Sequence, residues 1–192
     1  MKYTLITGAS QGMGLHMAEE CASLNRNVLL VSLPGENLQK LSIDIKEKYS
    51  VQSAYFEIDL TEKNSAKNIH NWVQKNNYSI DFLINNAGFG GVGSFEDYSI
   101  EYIEKMIDLN IKATTNLTHY FIPDLKNNSP SFILNNASMI ANFPCPYKSI
   151  YAASKVYVKY FTEALKVELE VYDISVSLLQ PGATPTNEVV KN

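Results

Sequence analysis

Short apolar runs alternate along this chain with longer stretches in which apolar residues recur every three or four positions. The runs are Tyr3–Thr7, Val28–Ser32, Ala54–Ile58, Phe82–Asn85, Ser131–Asn135 and Ile174–Leu179. Each is too short for a helix and rich in Val, Ile, Leu or aromatic residues, which predicts strands. Most are apolar at consecutive positions, as strands buried on both faces must be. Between them Met13, Met17, Cys21 and Leu24 keep helical spacing, as do Leu38, Leu41 and Ile45, and then Ile69 and Val73. Alternation with short connections predicts an α/β fold of three layers, a parallel sheet of six strands with helices on both faces. No repeat, low-complexity tract or long linker interrupts the pattern, so residues 1–192 read as one domain.

Two later helical segments carry more apolar surface than one sheet requires. In 100–125 one stripe is Ile100, Ile103, Ile107 and Ile111, and a second is Tyr102, Met106, Leu109, Ala113 and Leu117. In 151–172, Val156, Tyr157, Tyr160, Phe161, Ala164 and Leu165 cover much of the circumference. A surface helix needs one stripe only. The excess predicts a homodimer or homotetramer through these two helices. The other reading is a larger core within one chain.

Composition narrows the functional classes. The 192 residues carry 16 Lys+Arg against 20 Asp+Glu, a net charge of −4, with 45% hydrophobic residues. These are globular proportions, and an acidic balance without a basic cluster excludes a nucleic-acid binder. Two cysteines, Cys21 and Cys145, make no disulfide framework. No metal site is expected either. The apolar start is too short for a signal peptide, and no window approaches the ~20 residues that span a bilayer. A cytoplasmic chain with no membrane partner is the expectation.

The first strand ends in Thr7-Gly8-Ala9-Ser10-Gln11-Gly12-Met13-Gly14 and leads into a helix. Glycines permit a tight turn and close approach of the backbone to a ligand. Free N–H groups and the dipole at a helix start attract a pyrophosphate. In a chain that alternates strand and helix, this turn points to dinucleotide binding on a doubly wound, Rossmann-type sheet. A Walker A loop is excluded, because no Gly-Lys-Ser/Thr follows.

The spacing T-G-x-x-x-G-x-G resembles that of the short-chain dehydrogenase/reductase family, and further motifs agree in order. They are Asn85-Asn86-Ala87-Gly88 after the fourth strand, Asn110 within a helix, and Ser138 after the fifth strand. Tyr151-Ala152-Ala153-Ser154-Lys155 then matches Y-x-x-x-K, and Pro181-Gly182-Ala183-Thr184-Pro185-Thr186 matches P-G-x-x-x-T. The resemblance implies an oxidoreductase that passes hydride between a nicotinamide and a carbonyl or secondary alcohol. It implies Tyr151 as acid/base, Lys155 as tuner of the phenol and ribose ligand, and Ser138 as stabiliser of the substrate oxygen. Asn110 would hold a water that relays protons from Lys155. The spacing itself supports part of this, since residues four apart share one face of a helix. A phenol is a weak acid, and a nearby ammonium favours its ionised form.

Cofactor contacts carried over by resemblance are Gly8, Ser10, Gln11, Gly12, Met13 and Gly14 in the turn, and Asn86, Ala87 and Gly88 beside the adenine ribose. Tyr151 and Lys155 add to them, and Pro181, Gly182, Thr184 and Thr186 would hold the carboxamide. Asp59 and Leu60 follow the third strand, where the family places an acidic residue near the adenine. A capping role is the rival for Asp59. At the end of the second strand stand Ser32 and Leu33. No carboxylate occupies those positions to repel a 2′-phosphate, and no arginine to bind one, and the balance leans to NADP(H) over NAD(H). Phe89, Met139, Ile140, Phe143 and Tyr147 lie after strand ends and predict an apolar pocket for a ketone, aldehyde or secondary alcohol. A redox sensor or scaffold that binds cofactor without turnover is the alternative. The family usually continues past P-G-x-x-x-T with a substrate loop and a seventh strand, whereas this sequence stops at Asn192. The resemblance therefore predicts a C-terminally short chain, truncated or closed by a partner subunit, with an open pocket and an apolar sheet edge.

Overall fold

A computed structural model describes residues 1–182. The elements are β1 Lys2–Thr7, α1 Gly12–Ser23, β2 Asn27–Ser32, α2 Leu38–Tyr49, β3 Ser53–Glu57, α3 Ser65–Lys75 and β4 Ser79–Asn85. There follow α4 Ile100–Ile107, α5 Thr114–Asn127, β5 Ser131–Asn136, α6 Ser149–Glu170 and β6 Ile174–Leu179. Strand order is β3-β2-β1-β4-β5-β6, with every pairing parallel. The order reverses direction between β1 and β4, and ligands of such sheets bind at that crevice.

Alternate side chains of the inner strands feed opposite layers, whereas the edge strand β6 buries Ile174 and Val176 and exposes Ser175 and Ser177. Leu5, Leu29, Val31, Leu83, Ile133 and Val176 meet Ile69, Val73, Leu117, Phe121 and Leu165 from α3, α5 and α6. Ile6, Val28, Leu30 and Ile84 meet Ala18, Cys21, Leu38 and Ile45 from α1 and α2. Strands buried on both sides explain why the runs lack polar alternation.

Several strands begin with polar residues that the apolar pattern leaves out. β4 starts at Ser79 and includes Asp81, which is buried and paired with Arg26 and, at 3.9 Å, with Lys2. The segment 100–125 is not one regular helix. Between α4 and α5, residues Asp108–Ala113 form a π-helical turn. This wide turn admits an extra residue, and it turns Asn110 inward beside Met106 and Ala113, which are also buried. Of the two stripes, Met106, Ala113 and Leu117 serve the chain's own core, while Ile100 stays 65% exposed. On α6, Leu165 is buried and Tyr160 is 64% exposed. No helix among the described residues is long and apolar enough to cross a membrane.

Candidate active site

The glycine turn lies at the carboxyl end of β1, in the crevice. Gly8 and Gly12 have positive φ, 64° and 56°, which glycine adopts without strain. A Cβ on Gly14 would sit far inside contact distance of the Gly8 carbonyl oxygen, so the turn closes directly over the first residues of α1. The Gln11 cap makes no side-chain bond, and the first turn of α1 holds no acidic residue. The backbone N–H groups at the start of α1 therefore face the crevice with no acidic side chain from their own turn. This cradle fits a pyrophosphate.

The neighbouring strand end is laced to that turn. Thr7 Oγ1 accepts from the backbone N–H groups of Asn86 and Ala87, both at 3.0 Å. Asn86 Nδ2 donates to the Thr7 carbonyl at 2.9 Å and the Gly8 carbonyl at 3.3 Å. Asn136 Nδ2 donates to Asn86 Oδ1 at 2.9 Å, and the Asn136 carbonyl accepts from Lys155 Nζ at 2.9 Å. A continuous chain of amides thus joins the glycine turn to the lysine of α6.

Tyr151 and Lys155 share one face of α6, with the ammonium 5.8 Å from the phenol ring centroid. Burial pushes the Lys155 ammonium down to about 8 from its usual 10.5. The segment after Asn86 threads between the two side chains. A Cβ on Gly88 would touch Asn110 Oδ1 and Lys155 Nζ, and one on Gly90 would strike the Tyr151 ring. The bare backbone at Gly90 lets that ring pack against the loop. The tyrosine hydroxyl has no protein partner among the described residues, so its proton is free for a ligand. Ser138 follows two residues after Asn136 and caps the short turn Met139–Asn142. Its Oγ accepts from the Ile140 N–H at 3.4 Å, which leaves its hydroxyl proton free to donate.

Asn110 is 1% exposed and clamps Phe89 by both backbone groups. It donates to the Phe89 carbonyl at 2.9 Å and accepts from the Phe89 N–H at 3.0 Å. Its second amide hydrogen goes to Ser154 Oγ at 3.0 Å. The side chain is thereby committed to holding the loop, so a water relay through Asn110 has to use its main chain or its last lone pair.

The two expected pocket segments meet, since the Gly93 N–H donates to the Tyr147 carbonyl at 2.9 Å. Met139, Phe143 and Tyr147 are exposed, Phe89 packs edge-on to Tyr102, and Ile140 is buried beneath its turn. The Pro181 carbonyl accepts from the Met139 N–H at 3.0 Å, and Gly182 lies beside Met139 Sδ, which brings this motif to the Ser138 turn. Thr184 and Thr186 lie outside the described residues. Asp59 Oδ1 accepts from the Thr61 N–H at 2.8 Å and Thr61 Oγ1 at 2.7 Å. Burial pushes the Asp59 carboxyl up, but these bonds outweigh it and hold it below its usual value. The oxygen is used in a turn with Thr61 and caps no helix, since α3 begins at Ser65 with Asn64 as its N-cap. The Leu60 side chain is buried in the core, while Leu33 and Gln11 are exposed and Met13 is half-buried.

No carboxylate stands at Ser32 or Leu33, yet Glu36 reaches back to that point. Its Oε2 accepts from Ser32 Oγ at 2.7 Å and also from Ser10 Oγ. The turn that brings it there uses Gly35 at φ 83° and Asn37 at φ 56°. Sequence reasoning also missed Thr7, Asn136 and Ser154, which position the site. Thr7 and Ser154 stand within quoted motifs but were given no role there, and the only signal for Asn136 was its place near Ser138.

A family profile described as short chain dehydrogenase matches residues 2–192. The chain belongs to this short-chain dehydrogenase family. It is 33% identical over 187 residues to 11-beta-hydroxysteroid dehydrogenase-like 3 of Arabidopsis thaliana, covering 97% of this chain and 60% of that one. It thus spans about three-fifths of the first curated relatives it matches. Among solved family structures, the short-chain dehydrogenase from Sphingobium yanoikuyae in complex with NADPH matches with a TM-score of 0.90 and 31% identity, over 97% of this chain and 72% of that one. The bulky-bulky ketone specific alcohol dehydrogenase from Comamonas testosteroni matches with a TM-score of 0.90 and 29% identity, over 96% and 74%.

Proposed function

We propose that this chain is a nicotinamide-dependent carbonyl reductase or secondary-alcohol dehydrogenase, with Tyr151 as its acid/base. The observation that carries this reading is Lys155, an ammonium buried with no carboxylate partner among the described residues and held beside the Tyr151 ring. Burying a charge without an ion pair is costly, so the position calls for a chemical reason. Tuning a phenol is such a reason. The Ser10–Gly14 turn, the Asn86–Gly88 strand end and Pro181-Gly182 would hold the cofactor, with Lys155 available to its ribose. The cofactor supplies or accepts the hydride. On the protein's side, the Tyr151 hydroxyl gives its proton to the carbonyl oxygen in reduction and recovers it in oxidation. The Ser138 hydroxyl donates to the same oxygen as charge grows there. Asn110 keeps the Phe89 loop in place, so the Tyr151 ring meets a fixed wall.

A solved relative is named for bulky ketones, and the exposed Met139, Phe143 and Tyr147 support a similarly apolar substrate here. The test follows the loss of reduced-nicotinamide absorbance with a panel of carbonyls and both cofactors. Turnover is expected, faster with bulky apolar ketones than with small polar ones. Cofactor binding without turnover on any member would replace this reading with a sensor or scaffold.

NADPH in the Sphingobium relative supports NADP(H) here, and the carboxylate of Glu36 opposes it. Exposed Ile100, Tyr157 and Tyr160 support pairing of two or four copies through α4–α5 and α6. Light scattering should return a dimer or tetramer, and replacing Ile100 and Tyr160 with Glu should shift it to monomer. A wild-type monomer at all concentrations would remove this part of the proposal.

A further inference from the structure

We propose that Glu36 sets cofactor selectivity, accepting a ribose hydroxyl of NAD(H) and excluding the 2′-phosphate of NADP(H). The inference rests on the cofactor reading above and concerns the same site. A dinucleotide whose pyrophosphate lies on the glycine turn places its adenosine ribose at the end of the second strand. Here that place is Ser32, which is 7% exposed, next to Ser10 of the turn itself. Ser10 Oγ and Ser32 Oγ lie 2.9 Å apart, and both reach Oε2 of Glu36.

A serine hydroxyl has one hydrogen. When both are given to Oε2, neither serine has a proton left to offer a phosphate. Oε1 meanwhile has no protein donor among the described residues, so it can accept from a ribose hydroxyl. A 2′-phosphate would bring a second negative group against the carboxylate. It would also find no cation among the described residues, where no lysine or arginine bonds to these three side chains. The nearest basic residue along the chain, Lys40, borders a different hollow with Asn37, Tyr55 and Glu57. The carboxylate stands four residues past the strand end, so a search at the strand end alone reads the site as neutral. Its place depends on the turn Leu33–Asn37, where Gly35 and Asn37 take left-handed backbone.

The experiment measures dissociation constants of NADH and NADPH by nicotinamide fluorescence, on the full chain and on Glu36→Gln and Glu36→Ser. The wild type should bind NADH at least about tenfold more tightly than NADPH, the scale expected of one repulsive contact near a surface. Both variants should cut that ratio to about threefold or less, chiefly by tightening NADPH as the serine protons are released. A wild type that binds NADPH as tightly as NADH overturns the assignment. So does a ratio that neither variant changes. A wild type that binds neither nucleotide overturns the cofactor reading and this assignment with it, whereas the first two results leave that reading standing.

Discussion

Replacing Tyr151 with Phe is expected to lower kcat about a thousandfold, within the range that general acid–base groups contribute. The fold and cofactor affinity should hardly change. The reason is local. The ring fills the space beside Gly90, and phenylalanine keeps that ring. The lost hydroxyl has no protein hydrogen bond among the described residues, so stability should move by less than about 0.5 kcal/mol. The dissociation constant for NADH or NADPH should stay within about threefold, since only a proton donor is removed. Parallel measurement of kcat, cofactor affinity and urea unfolding separates the cases. Undiminished turnover would show that another group moves the proton. A collapse of stability would show that the phenol is structural.

Lys155→Met should move activity and stability in opposite directions. The folded Lys155 titrates near 8 and the unfolded one near 10.5. Between those values the unfolded chain binds more protons, so wild-type stability rises with pH through that window. Below it the whole cost of burying the charge is present, about 3 kcal/mol. Methionine has similar length and no charge, but it strands the Asn136 carbonyl, at a cost of about 1 kcal/mol. The variant should therefore be about 2 kcal/mol more stable at neutral pH. It should also lose the rise in stability above pH 8. Turnover should fall at least about a hundredfold. Urea melts at pH ~7 and ~10 read both effects. A less stable variant that keeps the wild-type pH slope would mean that the lysine is structural and not held for chemistry.

The inner strands were legible because the sheet buries both of their faces, and β6 was legible although Ser175 and Ser177 on one face are exposed. The run Val28–Val31 has four apolar residues, two for each layer, and β6 matches its apolar run at both ends. The strand starts were less legible, since Asn27, Ser53 and Ser79 are polar and enter by ladder pairing and side-chain hydrogen bonds that leave no apolar mark. The π-helical turn was invisible for a different reason. Apolar spacing of three and four continues through 100–125, and an extra residue in one turn leaves no mark on composition. Motif matching found Asn110, but its clamp on Phe89 follows from that turn. Asn85 and Asn135 ended apolar runs and read as strand ends. They are in fact buried, with Asn85 Nδ2 on Thr118 Oγ1 and Asn135 Oδ1, and Asn135 Nδ2 on Thr162 Oγ1. Glu36 was missed because its contact forms through a turn, where no period exists to follow.

The amide chain from Gly8 through Asn86 and Asn136 to Lys155 divides the site into parts that can and cannot change alone. Substitutions along that chain share partners, so their effects will not add. Among the described residues, the Leu33–Asn37 turn bonds to no member of that amide chain and meets the site beside Ser10, Gln11 and Ser32. One or two changes there could exchange one cofactor for the other while the proton-transfer apparatus stays as it is. The fold thus keeps its chemistry under joint constraint and leaves its choice of electron carrier open to drift.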